Sequence, residues 1–522
     1  MRVLLVEPQY RRRRPSKEGK SGSRLDDSVL WYPPLGLMKL SRFHKDRGDE
    51  VRFVSGCDKS VFHEPDLYNP AELWDRVYIT TLFTYHFDRI VKTIRFYLDA
   101  VGGTAGKIFV GGVMASLMSD AIFEETGIYP ISGVLNSPEP LRIAGKTDID
   151  LLPLDYELLN PELYSINETY YGYTTRGCIN KCPWCGVPVL EPEFIPYIDI
   201  KPSINVMRDL YGDKPYLKLM DNNVLASPYL EQIVQDLEDL GYGRDSYTNT
   251  DPKRQRVIDF NQGLDSKLLT KKTMRLLARL NIRPMRIAFD RLREKKEYIR
   301  ALTLAYEYGV SEFSNYMLYN FNDTPRDLYE RLCVNIRLNE KWLEDLPGRI
   351  SGKVYSYPMR YAPIDDKGNG ESKRRDRATS DNPGKRNWLK KPVWTRRFIR
   401  NIEVMKGAAH GAISPTPTLA WRTIGETFEE YIANLYMPEE LLRNRNQYER
   451  RVYEHEPKRK PGTGKVEEFR GFVLDLLEEG GDRFREFHNA VSPNSITTVK
   501  EKLKEITNPG VKRWLKWYIK RR

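Results

Sequence analysis

Three cysteines set within eight residues carry the strongest chemical signal in the chain: Thr175-Arg176-Gly177-Cys178-Ile179-Asn180-Lys181-Cys182-Pro183-Trp184-Cys185-Gly186. The spacing is C-x3-C-x2-C, placed directly after Tyr171–Thr175, which reads as a strand. A short loop of this kind wraps three thiolates around three corners of a cubane iron–sulfur cluster and leaves one iron without a protein ligand. An iron with open coordination sites binds a substrate or cofactor directly. The alternative is zinc, whose structural sites usually take four ligands, often as paired C-x2-C units. The remaining cysteines, Cys57 and Cys333, lie far off in sequence, and His86 and His410, the nearest histidines, are not local fourth ligands. A zinc site therefore needs a distant residue to fold back and complete it.

The elements that must position this loop follow an alternating pattern. Residues 1–145 read as strands at Val3–Val6, Val51–Val54, Val77–Thr81, Ile108–Val110 and Ile131–Leu135, separated by helical stretches that include one opening at Pro33-Pro34-Leu35-Gly36-Leu37 and one over Phe87–Leu98. Strands separated by helices predict a parallel sheet covered on both faces, a Rossmann-like α/β unit. In such sheets ligands sit at the C-terminal strand ends, where Gly111-Gly112 falls, and the pair reads equally as a tight turn. Residues 146–167 read as a linker. From 168 to 360 six further strand–helix units are expected, with strands at Tyr171–Thr175, Tyr216–Met220, Val257–Phe260, Met285–Phe289, Phe313–Leu318 and Val354–Tyr357. Polar residues follow these strands, at Asp221-Asn222-Asn223, Gln262, Asp290 and Asn320, where α/β enzymes place their chemistry. A basic extension over 361–424 and a mostly helical, basic C-terminal region over 425–522 complete the order.

The cysteine loop resembles the signature of the radical S-adenosylmethionine (radical SAM) superfamily, C-x3-C-x-aromatic-C, with Trp184 as the aromatic residue. The resemblance covers roughly residues 168–360 and implies a partial (β/α)6 barrel. It also implies that Cys178, Cys182 and Cys185 hold a [4Fe-4S] cluster, that SAM chelates the fourth iron, and that Trp184 lies near the adenine. Reductive cleavage of SAM would then give a 5′-deoxyadenosyl radical that abstracts hydrogen from an unactivated carbon, with a flavodoxin or ferredoxin as the electron donor. The family's glycine-rich stretch after the second strand is replaced here by Met220-Asp221-Asn222-Asn223. The Asp221 carboxylate or an Asn222 carbonyl can accept from the SAM ammonium group, or these residues form a turn that satisfies its own backbone. Gln262, Asp290 and Asn320 are further cofactor-binding candidates by position.

The order of elements in residues 1–145 resembles the cobalamin-binding domain that precedes many radical SAM cores. The Asp-x-His-x-x-Gly motif that supplies a cobalt-ligating histidine is absent. A cobalamin-dependent methyltransferase is thus the alternative within the class, and a retained scaffold domain is the reading without cobalamin. Cys57 and Cys333 are 276 residues apart, too few and too scattered for a second all-cysteine cluster. Cys333 reads as core packing on a helix.

Composition bounds the rest. The 522 residues carry 84 Lys and Arg against 72 Asp and Glu, a net charge of +12, with 40% hydrophobic and 11% aromatic residues, enough for packed cores. No run approaches the roughly 18–20 apolar residues of a membrane-spanning helix, so no membrane association is expected. The N-terminal apolar run is too short for a signal peptide and is followed by Arg11 to Arg14. Five cysteines, three of them clustered, suit a reducing compartment, and the cytoplasm is expected. Segment 351–400 holds 14 Lys and Arg against 5 Asp and Glu and includes Trp388 and Trp394. Charge interleaved with aromatics points to a nucleic-acid or nucleotide substrate, to an acidic peptide or phosphorylated metabolite, or to a solvated basic face with its tryptophans packed inward. In the last helix Trp514, Trp517 and Tyr518 share one face, which favours burial. A non-catalytic nucleic-acid-binding protein with a structural metal site is the reading from another class.

Overall fold

The computed structural model describes residues 1–9, 31–62, 74–344, 352–361, 392–407, 411–443 and 464–519. Arg11 to Arg14, His410, Trp388 and much of the basic stretch 361–424 lie outside the described residues. The chain divides into two compact units: Met1–Gln262 with Arg275–Ile282 in the first, and Gly263–Met274, Arg283–Ala362 and Arg375–Arg522 in the second.

The first unit opens on a four-stranded parallel sheet, β1 (Arg2–Glu7), β2 (Glu50–Ser55), β3 (Arg76–Thr81) and β4 (Ile108–Gly112), in the order β2-β1-β3-β4. Its central strand is apolar on both faces because helices cover both sides. Val3 and Leu5 pack with Leu37, Leu40 and Phe43 of α1 (Leu35–Asp46). Leu4 and Val6, pointing the other way, pack with Ile90, Val91 and Ile94 of α2 (Phe87–Asp99). This period-two split is what a continuous apolar run in a doubly covered sheet requires. The expected strand at Ile131–Leu135 is not one: Ile131 donates a single bond to the Val110 carbonyl at 2.7 Å, and the segment stays irregular. Pro130 lacks the N–H a ladder needs, and Gly133 takes φ +79°. The stretch 146–167 forms short 3₁₀ turns and buries Ile149, Leu154, Tyr156, Tyr164 and Ile166.

The six strands expected between 168 and 360 are present in order, as two three-stranded parallel sheets and not one continuous ladder. The first unit holds β5 (Thr169–Gly172), β6 (Tyr216–Leu219) and β7 (Val257–Phe260), paired β5-β6-β7. The second holds β8 (Met285–Arg286), β9 (Glu312–Tyr319) and β10 (Lys353–Arg360), paired β10-β9-β8. β8 has only two residues, and Pro284 immediately before it removes a ladder donor.

The other described residues of the second unit are mostly helical, including Arg396–Lys406, Pro417–Ile424, Phe428–Tyr436, Gly464–Glu479, Gly481–Val491, Ile496–Glu505 and Pro509–Tyr518. Of the three aromatic residues expected to share a buried face of the last helix, Trp514 and Tyr518 are buried and serve packing, and Trp517 is half-buried. Cys333 is buried in Pro325–Glu344, and burial pushes its thiol up to about 11. Among the described residues no helix is long and apolar enough to cross a membrane.

The end of β4 is a point of tight backbone contact. Gly112 sits at φ +102°, and a Cβ there would stand 2.4 Å from the Thr81 carbonyl oxygen, whereas one on Gly111 would meet nothing nearer than 3.7 Å. Gly112→Ala is therefore expected to cost about 2–4 kcal/mol, and Gly111→Ala less than about 1 kcal/mol, in equilibrium denaturation of the full chain.

Candidate functional site

The cysteine loop leaves β5 and is fixed at once by an acid just beyond β6. Gly172 stands in register with Leu219, so the two strands end side by side. The buried Asp221 Oδ1 accepts the Thr174 N–H at 2.9 Å, the Thr174 hydroxyl at 2.7 Å, the Thr175 hydroxyl at 2.8 Å and also the Thr175 N–H. Burial nonetheless pushes the Asp221 carboxyl above the ordinary carboxylate range, against these hydrogen bonds. Its Oδ2 is buried with no partner among the described residues. Next along, Arg176 and Ile195 exchange backbone bonds of 3.0 and 2.9 Å. Gly177 follows at φ +71°, where a Cβ would stand 2.2 Å from the Glu193 carbonyl oxygen.

Beyond this anchor come the three cysteines. None is in a disulfide, and all three are half-buried. The Cys178 sulfur accepts the Asn180 N–H at 3.3 Å and the Asn223 Nδ2 at 3.6 Å, and the Cys185 sulfur accepts the Val187 N–H at 3.5 Å. N–H groups aimed at sulfur are the contacts that a cluster-bound sulfur receives. Among the described residues no three His, Cys, Asp or Glu side chains converge as ligands of one ion. A cubane asks for something different, one thiolate at each of three separate corners, and the donor set on this loop fits that demand. The Asn223 Oδ1 is buried and unpartnered among the described residues.

A second polar cluster braces the loop. Glu191 accepts the Gly177 N–H at 2.6 Å, Arg176 Nη1 at 2.8 Å and Asn222 Nδ2 at 2.8 Å. Arg176 also pairs with Asp150 through Nε at 2.9 Å, and Lys39 Nζ reaches Asp150 Oδ1 at 2.6 Å. The guanidinium lies 3.3 Å from the centre of the Tyr173 ring. Burial would raise the Asp150 carboxyl, but Lys39 and Arg176 outweigh it and hold it below the ordinary carboxylate range. Lys39 is lowered by its own burial.

The structure thus brings Asp221 and Asn222 up to the cysteine loop that carries Trp184. Asp221 spends one oxygen on the loop backbone, and Asn222 spends its amide on Glu191. Gln262 is exposed at the end of its segment. Asp290 and Asn320 belong to the second unit and serve their own strand ends. Asp290 accepts the Leu318 N–H at 3.0 Å, and Asn320 adopts φ +66° directly after β9. Sequence reasoning missed Glu191, Arg176, Asp150 and Lys39 as a unit, since nothing local marks charges that meet across 111 residues. Asn223 carried a signal, its place in the polar run after β6.

A cavity of about 570 Å³ in the first unit adjoins this cluster. The ends of β1, β3 and β4 border it through Glu7, Thr81 and Gly111-Gly112, and the ends of β5, β6 and β7 through Tyr171, Met220 and Asn261. Arg176 and Glu191 belong to its wall as well as to the loop brace. The expected ligand position at Gly111-Gly112 therefore does open on a cavity of ligand size. Glu7, which sequence reading passed over, is buried on its wall and accepts the Tyr164 hydroxyl. Burial raises its carboxyl to about 7, against hydrogen bonds from Tyr164 and Trp31.

Comparison with known proteins adds little. No protein-family model matches the chain, and no curated protein matches it. Among solved structures, the crystal structure of HydG, a maturase of the [FeFe]-hydrogenase, aligns over 82% of this chain and 91% of that one, at 13% identity and a TM-score of 0.29. A superposition that loose carries no argument about this chain.

Two outcomes follow from the geometry. Asp221→Ala strands four buried donors and is expected to cost about 3–5 kcal/mol in denaturant unfolding, with Asp221→Asn, which keeps one carbonyl oxygen, costing less. For Glu7, the folded carboxyl keeps its proton between pH 4.5 and 7 while the unfolded chain releases it. Stability is full below pH 4.5 and falls by about 3 kcal/mol as pH rises through this window. Unfolding curves across pH should show that decline in the wild-type chain and a flatter profile in Glu7→Gln.

Proposed function

We propose that the chain is a radical SAM enzyme in which Cys178, Cys182 and Cys185 hold a [4Fe-4S] cluster. The observation that carries this reading is the loop itself: three thiols in C-x3-C-x2-C spacing, leaving the first strand of a parallel α/β set, with N–H groups aimed at two of the sulfurs. When bound by these three cysteines, the cluster together with SAM would supply radical chemistry for hydrogen abstraction from an unactivated carbon.

The chain's own residues then have defined tasks. Asp221 fixes the departure of the loop from β5, and Glu191 holds Gly177 one residue ahead of the first ligand. The Asn223 amide turns its N–H toward the Cys178 sulfur and leaves Oδ1 as a buried acceptor beside it, suited to an ammonium donor. The Asp221 Oδ2 is a second such acceptor. The apolar walls of the adjoining cavity exclude water from an organic ligand, which protects a reactive radical from side reactions. A small flavodoxin- or ferredoxin-like protein is the proposed reductant, and the cytoplasm the proposed compartment.

A second reading, cobalamin-dependent methyl transfer, is favoured by the cavity at the strand ends of the first sheet. Among the described residues no histidine lines it.

The test is anaerobic purification, reconstitution with iron and sulfide, and reaction with SAM and dithionite. Wild type should bind about four irons per chain and form 5′-deoxyadenosine by mass spectrometry, and the Cys178→Ala, Cys182→Ala, Cys185→Ala variant should do neither. Zinc in place of iron, with no cluster on reconstitution, would overturn the proposal in favour of a structural metal site. Corrinoid absorbance in the purified chain, distinct from that of the cluster, would select the methyltransferase branch.

A further inference from the structure

The cavity in the first unit has an unusual charge balance. Among the described residues, five Asp, Glu, Lys and Arg side chains line it: Glu7, Lys39, Asp150, Arg176 and Glu191. Four of them are spent on one another. Lys39 and Arg176 both pair with Asp150, and Arg176 also pairs with Glu191. Two cations are thereby matched by two carboxylates. The fifth, Glu7, is only 5% exposed and receives the Tyr164 hydroxyl and a hydrogen bond from Trp31. A carboxylate has about four acceptor positions, so its capacity exceeds the two donors that the described residues supply. The neighbouring wall is aromatic, with Trp31, Tyr32 and Phe83.

We propose that this cavity binds a mainly apolar organic ligand, uncharged or singly cationic, whose N–H or O–H group is accepted by Glu7, and that it rejects anionic ligands. A phosphate or carboxylate entering the cavity would find both cations of the described wall already neutralised and an additional acid facing it. It would lose its hydration without gaining a counter-ion. An ammonium or hydroxyl group meets the opposite situation, with a buried acceptor and aromatic faces that attract cations. Burial lifts the Glu7 carboxyl to about 7 against its two hydrogen bonds, which accords with a carboxyl in a dry wall. The inference rests on the cavity alone and holds whether or not the cysteine loop carries a cluster.

The experiment is calorimetric binding to the full chain at pH 8, without SAM or reductant, of three probes sharing one aromatic body: 2-naphthylmethanol, 2-naphthylmethylamine and 2-naphthoate. The alcohol and the amine should bind, and the naphthoate should bind weaker by on the order of tenfold or more. Val134→Trp, which places an indole on a half-buried wall position of an irregular segment, should weaken all three. Glu7→Gln should remove the preference for the amine over the naphthoate. Naphthoate binding as tightly as the other two would overturn the proposal, as would unchanged binding in Val134→Trp. Circular dichroism checks that both variants fold. If Glu7→Gln does not, the wild-type probe order and Val134→Trp decide the matter.

Discussion

One carboxylate oxygen carries the local architecture of the cysteine loop. Asp221 Oδ1 collects two backbone N–H groups and two hydroxyls from Thr174 and Thr175, all in a buried place. Two successive N–H groups that bind the same oxygen must point the same way, so the chain can leave β5 in only one direction. The threonine hydroxyls add to this hold because their stiff side chains lose little further freedom when bound. Everything after Thr175, including the spacing of the three thiols, starts from a position set by a residue on the neighbouring strand end.

The second constraint, Glu191, ties the loop to the cavity. It holds the Gly177 N–H on one side and Arg176 on the other, while Arg176 reaches Asp150 and through it Lys39 of α1. A buried charge network of this kind is costly to assemble and far costlier to leave half-made. Its value here lies in geometry: the cavity wall and the loop share Arg176 and Glu191, so neither can shift without the other. Helix α1, which packs on the first sheet, is by the same bonds part of the loop's foundation.

Much of this fold could be read from residue order, and the exceptions have physical causes. Val3–Val6 and Val77–Thr81 were legible because strands buried on both faces must be apolar throughout. Ile131–Leu135 looked equivalent and failed, because apolar content says nothing of a missing N–H at Pro130 or a left-handed Gly133. The cysteine loop was legible because its ligand spacing is local. Asp221 was marked by its place after β6, yet its observed partners are loop threonines 46 and 47 residues earlier. Glu7 and Tyr164 are 157 residues apart, and no periodicity connects them. Residue types advertise chemistry when the partners are neighbours in sequence. When the partners are brought together by packing, only the folded chain reveals them.

The same distinction separates global from local charge. A net charge of +12 and the basic stretch at 351–400 invite a reading in terms of polyanionic partners, and that reading concerns the surface and long-range attraction. Inside the cavity wall the balance is different, since Lys39 and Arg176 are consumed by Asp150 and Glu191 and Glu7 stands over as an acid. Within a few ångströms, where desolvation is severe, a ligand responds to unpaired groups and not to totals. A basic protein can therefore hold a site that refuses anions. Its overall charge and its ligand preference are then independent properties, one set by the exposed residues and the other by which buried charges have already found each other.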